Sequence, residues 1–313
     1  MSKPHLLVIG PFPDADLQPL ERDFTVHKYW LAEDRDAFVA ERADLIRGIA
    51  TRGDRGAWRS LIEALPNLEM IANYGVGFDA VDIDCARERG VRVTNTPDVL
   101  TEDVADFGFA LLLAVARQIP RGDGHVRSGK WSKGPMPLGA RLFGKRLGIV
   151  GLGRIGSAVA RRAAAFDMSI AYHDLARRDD LPYRYVDDLV ALARESDFLI
   201  VTVAGGAGSA KIVNADVLNA LGPSGFLVNI SRGSTVDQAA LLDALENGKI
   251  AGAALDVFEI EPVNDPRFNA LENVVLQPHQ ASATVETRQA MGQLMRDNLA
   301  AHFAGRPLLT PVV

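Results

Sequence analysis

Short apolar runs alternate with longer polar stretches along the first hundred residues of the chain. Apolar runs of this length, separated by stretches with helical spacing, are typical of strands joined into βαβ units. The predicted strands are HLLVIG (5–10), FTVHKYW (24–30), DLIRGIAT (44–51), LEMIANYG (68–75) and VRVTN (91–95). The pattern therefore predicts a first α/β domain built on a parallel sheet.

A second series of strands begins near residue 145, and its runs are more continuously apolar. The predicted strands are KRLGIV (145–150), MSIAYHD (168–174), DFLIVTVA (197–204), GFLVNI (225–230), AGAALDVF (251–258) and ENVVLQP (272–278). Strands that are apolar on both sides are expected where helices cover both faces of a sheet. We therefore predict an α/β fold of two parallel-sheet domains, each Rossmann-like or flavodoxin-like.

A long apolar helix and an arm separate the two series of strands. The segment NTPDVLTEDVADFGFALLLAVARQ (95–118) offers Thr101 as an N-cap, with two acids in the first turn. Its apolar residues spread nearly all round the helix, which indicates burial in a large core or a subunit interface. Residues 119–145 are rich in Gly, Pro and basic residues, and we predict an extended arm there.

One more helix, from about Thr284 to Ala304, follows the last strand and has no sheet of its own. It could pack back on the first domain, which would then be discontinuous. The predicted domains are residues 1–98 plus 284–313, and residues 99–283, of which about 101–145 form the apolar helix and the arm.

Composition places the chain among ordinary globular proteins. It has 313 residues, of which 48% are apolar and 24% charged, so about two domains with their own cores are expected. The net charge is −6, from 34 Lys and Arg against 40 Asp and Glu, without a long basic run. A nucleic-acid partner and an anionic membrane surface are therefore not expected.

Cysteine usage and the N-terminal segment bear on location. The single cysteine, Cys85, cannot form a disulfide within the chain or build a metal site alone, which suits a reducing compartment. The apolar run in MSKPHLLVIGPFP is too short for a signal peptide, and no segment has the ~18 uncharged apolar residues of a membrane span. We expect a soluble, cytoplasmic protein without a metal.

The clearest motif is GLGRIG at 151–156, which follows the strand KRLGIV and precedes a helical stretch. In this context the glycines permit a tight turn and close approach of the backbone to a pyrophosphate, and the helix N-terminus favours negative charge. A glycine-rich turn without a ligand is the alternative. The residues predicted to bind a dinucleotide here are Gly151, Gly153, Arg154, Ile155 and Gly156.

Asp174 ends the next predicted strand, 18 residues after Gly156, where dinucleotide folds place an acid on the ribose hydroxyls. A carboxylate accepts hydrogen bonds from a 2′-hydroxyl but repels a 2′-phosphate, so NAD(H) is favoured. Arg177 and Arg178 follow in the loop. They could bind the phosphate of NADP(H), or they could be solvated loop charges.

Charged residues follow three strands of the second series. Arg232 comes after GFLVNI, Glu259 and Glu261 come after AGAALDVF, and His279 comes after ENVVLQP. Ligands bind beyond the carboxyl ends of the strands in such sheets. An arginine, a carboxylate and a histidine at one edge can bind an anion and transfer a proton, although each alone could be an ordinary loop residue.

Three segments resemble the motifs of the D-2-hydroxyacid dehydrogenase family. They are NISRGSTVDQAALLDAL, GAALDVFEIEP and ENVVLQPHQASATVETR, and the ending of the chain resembles the glyoxylate/hydroxypyruvate reductase branch. The resemblance runs from about residue 68 to the C-terminus. It implies a substrate-binding first domain, a dinucleotide-binding second domain, and an active site in the cleft between them.

The resemblance also implies roles for the charged residues. Arg232, Glu261 and His279 are expected to be catalytic, because the family's glutamate immediately precedes a proline, here Pro262. His279 would then give a proton to the substrate carbonyl oxygen, and a carboxylate beside a histidine favours its protonated form. Arg232 would hold the substrate carboxylate. Asp256 is expected to bind the nicotinamide carboxamide.

Further contacts are implied for substrate and cofactor. The turn in ANYGVGFDAVD (72–82) is expected to bind the substrate carboxylate through backbone N–H groups, although it could be a β–α turn alone. Trp131 is expected to reach the partner subunit's active site, or else to be an exposed packing residue. The substrate-binding residues predicted in this way are Tyr74, Val76, Gly77 and Trp131, and the further cofactor-binding residues are Thr101 and Ile230.

The function predicted from these features is NAD(P)H-dependent reduction of a small 2-oxo acid to the D-2-hydroxy acid. The apolar helix and the arm favour a homodimer built through the cofactor domain. From a different class, the alternative is a non-catalytic, dinucleotide-sensing binding protein of the corepressor type. An assay with a panel of 2-oxo acids separates the two.

Overall fold

The structure is a computed structural model that describes residues 3–263 and 265–313. The chain divides into two compact units. The first unit comprises Met1–Leu100 and Ala283–Val313, and the second comprises Thr101–Ser282. The predicted domain limits, 1–98 plus 284–313 and 99–283, lie within two residues of these boundaries.

The first unit is built on a sheet that has five parallel strands within its described residues, in the order β2-β1-β3-β4-β5. This is the flavodoxin-like order. The strands are β1 (His5–Val8), β2 (Thr25–Lys28), β3 (Ile46–Arg52), β4 (Met70–Tyr74) and β5 (Arg92–Thr94). The helices are α1 (Asp14–Asp23), α2 (Arg35–Ala40), α3 (Arg59–Glu63), α4 (Ile83–Glu88) and the C-terminal helix Val285–Phe303.

The C-terminal helix packs on the first unit through an ion pair, and a glycine leaves room for that ion pair. Arg296 on this helix forms an ion pair with Asp16 of α1, which is only 4% exposed. Gly292 leaves room for that carboxylate, since a Cβ there would lie 1.8 Å from Asp16 Oδ1. A buried carboxylate of this kind is tolerated only when it is paired.

The second unit is built on a sheet that has seven parallel strands among its described residues, in the order β12-β11-β10-β9-β6-β7-β8. The first six in chain order follow the Rossmann arrangement, with the strand order reversing between β6 and β9. The strands are β6 (Arg146–Val150), β7 (Ser169–His173), β8 (Arg184–Tyr185), β9 (Phe198–Val201), β10 (Phe226–Asn229), β11 (Gly252–Leu255) and β12 (Val274–Leu276).

The helices of the second unit lie between these strands in the chain. They are α5 (Thr101–Ala116), α6 (Ile119–Arg127), α7 (Arg154–Ala164), α8 (Leu189–Arg194), α9 (Ala215–Leu221), α10 (Gln238–Glu246) and α11 (Arg267–Ala270). The apolar helix α5 packs on β10 and β11. Gly108 permits that contact, because a Cβ there would lie 2.5 Å from Ile230 Cδ1. No helix in the part of the chain that the structure describes is long and apolar enough to span a membrane.

Side-chain caps explain where several helices begin. An Asp, Asn or Thr before each of these helices accepts a hydrogen bond from a backbone N–H in the first turn, which stabilises a helix by about 1 kcal/mol. The capping residues are Asp34, Asp82, Asp188, Asn214, Asp237 and Thr284. The prediction of Thr101 as a cap is wrong by one position, since α5 begins at Thr101 itself.

Two local predictions need correction. The arm at 119–145 is not extended throughout, since residues 119–127 form α6 and Lys130–Lys133 form a short 3₁₀ helix. Pro120 lies in the first turn of α6, where its missing N–H costs nothing, so the proline marks a helix start rather than a break. Strand β8 was not predicted, because its two residues carry no apolar pattern.

Candidate active site

Two of the three glycines of the 151–156 turn are required by the geometry of the chain itself. Gly151 has φ 94°, and a Cβ on it would lie 2.7 Å from the Val203 side chain. A Cβ on Gly156 would lie 2.1 Å from the Gly151 carbonyl oxygen. A Cβ on Gly153, the residue that precedes α7, would instead point into open space.

That open space is the observation that fits a dinucleotide. The first turn of α7, which contains Arg154 and Ile155, presents backbone N–H groups that have no partner within the helix. Together with the helix dipole, such groups attract phosphate. Because Gly153 leaves the approach to them clear, the turn can hold a pyrophosphate against the backbone.

Asp174 lies at the end of β7, beside this turn. Its Oδ2 accepts a hydrogen bond of 2.7 Å from the Leu152 N–H, and its Oδ1 accepts one of 2.7 Å from the Leu175 N–H. These bonds fix the carboxylate next to the glycine-rich turn. Since each oxygen has a further lone pair, the group can also accept from a ribose hydroxyl.

The two arginines after Asp174 have acidic partners in their own loop. Arg177 pairs with Asp179 at 2.7 Å, and Arg178 pairs with Asp180 at 2.7 Å. Arg178 also donates to the Leu152 carbonyl at 3.3 Å, so its side chain lies near the glycine-rich turn. Both guanidinium groups are therefore engaged with the chain.

Arg232 stands on a loop that the end of β10 holds in place. The side-chain amide of Asn229 donates to the Arg232 carbonyl at 2.9 Å, and its oxygen accepts from the Ser231 N–H at 3.0 Å. The Ser231 hydroxyl donates to the Val203 carbonyl. Asn229 and Ser231 were not predicted to matter. The available signal was their polar character directly after an apolar strand.

Gly233 brings the Arg232 loop against the loop after β11. A Cβ on Gly233 would lie 1.9 Å from the Phe258 carbonyl carbon and 2.4 Å from the Glu259 nitrogen. Only glycine fits at this separation. The contact places Arg232 close enough to Glu261 for its charge to act on that carboxylate.

Glu261 and His279 form the central pair of the site. His279 Nδ1 lies 2.7 Å from Glu261 Oε2, and Glu261 Oε1 accepts from the Phe258 N–H at 3.0 Å. The two side chains are 40% and 31% exposed, respectively. The pair is therefore fixed on one side and accessible on the other, and the three predicted catalytic residues lie together.

The pKa of Glu261 lies below the usual range of a glutamic acid. Burial raises this pKa, but the hydrogen bonds from His279 and Phe258 and the charges of His279 and Arg232 lower it further. The carboxylate therefore stays ionised near neutral pH. An ionised partner at Nδ1 orients the imidazole and leaves Nε2 for proton transfer.

Asp256 holds the backbone around His279. Its Oδ1 accepts from the Gln280 N–H at 2.6 Å and its Oδ2 from the Ala281 N–H at 2.9 Å, while its carbonyl accepts from the His279 N–H at 2.9 Å. His279 has φ 55°, a left-handed conformation that is rare for residues other than glycine. Asp256 therefore maintains an unusual backbone at a functional position, a role that was not predicted. Its contact with nicotinamide stays a prediction.

In the first unit, the loop after β4 has its carbonyl groups tied down. Asn73 donates to the carbonyls of Gly75 and Gly77 at 3.1 and 3.0 Å, and Asn95 donates to that of Val76 at 2.9 Å. Within residues 3–263 and 265–313, the N–H groups of Val76 and Gly77 have no hydrogen-bond acceptor. Two consecutive unpaired N–H groups can bind a carboxylate.

The other predicted contact residues have the following surroundings. Tyr74 is 5% exposed, and its hydroxyl donates to the Arg288 carbonyl at 3.0 Å. It is therefore a buried residue that supports the loop after β4. Ile230 is 7% exposed and packs against α5. Trp131 is 69% exposed on the short 3₁₀ helix. Their contacts with cofactor or substrate, and that of Thr101, stay predictions.

A Rossmann sheet with a glycine-rich turn, an acid at the end of its second strand and an Arg–Glu–His set defines a nicotinamide-dependent oxidoreductase. A family model described as "D-isomer specific 2-hydroxyacid dehydrogenase, NAD binding domain" matches residues 109–281. The chain belongs to the D-isomer specific 2-hydroxyacid dehydrogenase family.

Relatives over the full length agree with this assignment. A 2-ketogluconate reductase of Gluconobacter oxydans is 48% identical over 312 residues, which cover 100% of this chain and 99% of that protein. The solved structure of a 2-hydroxyacid dehydrogenase from Ketogulonicigenium vulgare has a TM-score of 0.93 at 58% identity, covering 100% of this chain and 99% of the other.

A third relative bears on the branch of the family. The structure of an NADPH-dependent glyoxylate/hydroxypyruvate reductase from Sinorhizobium meliloti, in complex with NADP and malonate, has a TM-score of 0.92 at 46% identity. It covers 100% of this chain and 97% of the other. The predicted family, its glyoxylate/hydroxypyruvate reductase branch and the two parallel-sheet α/β domains are confirmed. A non-catalytic dinucleotide sensor is not favoured, since the relatives are enzymes.

Proposed function

We propose that this protein reduces a small 2-oxo acid of the glyoxylate or hydroxypyruvate type to the D-2-hydroxy acid. The observation that carries the proposal is the 2.7 Å contact between His279 and Glu261, beside Arg232 and on the same sheet edge as the glycine-rich turn. The name of the S. meliloti relative supports the same substrate class, and that of the G. oxydans relative supports a 2-oxo acid. The bound dinucleotide supplies the hydride.

The chain's own residues handle the proton and the charges. His279 donates the proton to the substrate oxygen from Nε2, while Glu261 at Nδ1 stabilises the protonated ring. Arg232 binds the substrate carboxylate and polarises the neighbouring carbonyl, because its guanidinium is planar and always charged. In the reverse direction His279 accepts the proton.

The Val76 and Gly77 N–H groups are the proposed second anchor of the substrate carboxylate. Their support comes from Asn73 and Asn95, which hold the carbonyls of this loop and so aim the N–H groups outward. Backbone donors held in this way lose little entropy when they bind an anion.

We favour NAD(H) as the cofactor. Asp174 is fixed beside the turn by two backbone N–H groups, and its charge repels a 2′-phosphate. Arg177 and Arg178 have acidic partners at Asp179 and Asp180, so a phosphate would have to compete with them. The S. meliloti relative is named NADPH-dependent, and a preference of this chain for NADPH would overturn this part of the proposal.

A homodimer through the second unit is supported by the large apolar side chains that are exposed on the arm, residues 119–145. Leu138 is 97%, Trp131 69%, Phe143 59% and Val126 57% exposed. Scattered exposure is normal, but a concentration of large apolar side chains on one segment indicates a contact surface. A cytoplasmic location stays a prediction from the single cysteine.

The test is a spectrophotometric assay of glyoxylate, hydroxypyruvate and pyruvate with NADH and NADPH in parallel. We expect His279→Ala and Arg232→Ala each to lower turnover by about 10² to 10⁴-fold, with nearly unchanged cofactor binding measured by fluorescence titration. Glu259→Gln is the matched control, since Glu259 is exposed beside the site. No oxidation of either cofactor with any of these acids would refute the proposal.

A further inference from the structure

Arg52 lies at the carboxyl end of the first unit's sheet, next to the loop that holds Val76 and Gly77. It is the last residue of β3 and is paired in register with Tyr74, the last residue of β4. Residues paired across parallel strands project from the same face of the sheet. A Cβ on Gly75 would lie 3.9 Å from the Gly53 nitrogen, so the chain after Arg52 borders the loop after Tyr74.

Arg288 of the C-terminal helix reaches the same place. Its guanidinium lies 5.9 Å from the centre of the Tyr74 ring, and its carbonyl accepts the Tyr74 hydroxyl. Burial raises the pKa of Tyr74, as does the charge of Asp16, while the charges of Arg288 and Arg52 lower it. Both arginines are therefore close enough to the Tyr74 hydroxyl to act on it.

These arginines have few acidic partners. Arg52 lies 3.1 Å from Asp54, which also faces Arg55 at 3.6 Å, so one carboxylate serves two cations. Within residues 3–263 and 265–313, Arg288 forms no ion pair with a carboxylate, although it is only partly exposed. A half-buried guanidinium without an anion is poorly solvated and favours binding one.

Nearby acids are otherwise engaged or directed to solvent. Asp16 is paired with Arg296, and Glu286 is exposed. The side of Tyr74 that faces Arg52 and Arg288 is therefore cationic. It borders the loop after β4, which carries the two unpaired N–H groups that are the proposed anchor of the substrate's first carboxylate.

We propose that Arg52 and Arg288 bind a second carboxylate at the far end of the substrate, so that 2-oxo dicarboxylates are preferred over 2-oxo monocarboxylates of the same chain length. This inference rests on the proposed function, since it assumes that Val76 and Gly77 bind the first carboxylate. It states a preference of that site among longer 2-oxo acids and assigns two residues to that preference.

The test compares matched substrate pairs. Oxaloacetate is compared with 2-oxobutyrate and 2-oxoglutarate with 2-oxopentanoate, and the ratio of kcat/KM within each pair is measured. We expect the dicarboxylate to be favoured in the unmodified protein. Arg52→Gln and Arg288→Gln should each reduce the ratio by about tenfold or more, since a hydrogen bond to a charged group contributes this much.

Controls separate charge from folding and from the parent proposal. Arg52→Lys should restore part of the ratio, and Arg92→Gln, at the first residue of β5 at the opposite end of the sheet, should leave it unchanged. Urea unfolding midpoints verify that each variant is folded. If glyoxylate is reduced but the ratios of Arg52→Gln and the unmodified protein agree, the second carboxylate site is refuted alone. If no 2-oxo acid is reduced, the proposed function itself has failed.

Discussion

Glu261 keeps its charge in the folded protein because its neighbours favour the ionised form more than burial opposes it. A carboxyl group whose folded pKa is below its unfolded pKa stabilises the fold above the unfolded pKa, and this stabilisation is lost as the pH falls through the folded pKa. The contact between Glu261 and His279 therefore also makes a pH-dependent contribution to the free energy of unfolding. This contribution is lost at acidic pH.

Glu261→Gln should remove the pH-dependent stabilisation that the Glu261 carboxylate provides. It should also remove the help that this carboxylate gives to His279 in catalysis. We expect kcat to fall by roughly 10²-fold, because the protonated form of His279 loses its ionised partner. The difference in free energy of unfolding between the unmodified protein and the variant should be largest at neutral pH and shrink below about pH 4. Urea unfolding at several pH values measures this difference. A constant difference from pH 7 to pH 3 would contradict the assignment.

Asp256 is the second residue whose environment makes a sharp prediction. It is 1% exposed, and burial raises its pKa while the N–H groups of Gln280 and Ala281 lower it. Asp256→Asn replaces one accepting oxygen by an N–H₂ group that faces a backbone N–H. The unmet donors should cost about 1–3 kcal/mol in the free energy of unfolding.

Activity of Asp256→Asn should fall as well, since the left-handed backbone of His279 loses its support. We expect kcat to decrease more than the KM for the 2-oxo acid increases, which steady-state kinetics resolves. Asp265→Asn is the control, because that carboxylate pairs only locally with Arg267 among its described contacts. Equal effects of the two substitutions would show that Asp256 has no special role.

The glycine-rich turn offers a prediction for one structural element. Gly153→Ala adds a methyl group to open space, whereas Gly156→Ala places it 2.1 Å from the Gly151 carbonyl oxygen. The first substitution should leave stability nearly unchanged and weaken dinucleotide binding by at least about tenfold. The second should cost about 1–3 kcal/mol in stability through overpacking.

Calorimetric titration with NADH and thermal unfolding without it separate the two effects. Gly134→Ala is the control, because nothing lies within 4 Å of a Cβ at that position and it lies in the arm. If Gly153→Ala binds NADH as tightly as the unmodified protein does, the pyrophosphate does not lie against this residue.

At the level of elements, the sequence predicts the strands well because their apolar runs are long and bounded by turns. All eleven predicted strands overlap an observed one, while β8 has only two residues and no such run. The error at α6 has a definite cause. Gly122, Gly124 and Pro120 have low helix propensity, but the position of the proline in the first turn removes its cost.

The charged residues of the candidate site could be predicted from the sequence. The residues that hold its loops in place could not. Arg232, Glu261 and His279 follow strand ends, so parallel topology alone brings them to one edge. The roles of Asn229, Gly233 and Asp256 depend instead on contacts between loops that are far apart in the chain. Such contacts arise from tertiary packing, which local patterns do not encode.

For the whole molecule, the exposed apolar residues of the arm lead to a prediction about assembly. Leu138→Asp places a charge on the most exposed of them and should disfavour any contact with a second copy. Light scattering coupled to gel filtration should give a dimer for the unmodified protein and a monomer for the variant.

The control for assembly is Leu45→Asp, a substitution at a residue of the first unit that is 48% exposed. It should leave the mass in solution unchanged. A monomeric mass for the unmodified protein would refute the homodimer directly, and a dimeric Leu138→Asp would place the contact elsewhere.

The return of the C-terminal helix to the first unit has a consequence for biosynthesis. Residues 101–282 are translated between β5 and that helix, and Phe303, which lies against Gly48 of β3, is translated after them. At about 5–20 residues per second, the ribosome needs about 10–40 s for this intervening stretch. During that time one face of the nascent first sheet lacks the cover that the C-terminal helix gives it in the folded protein.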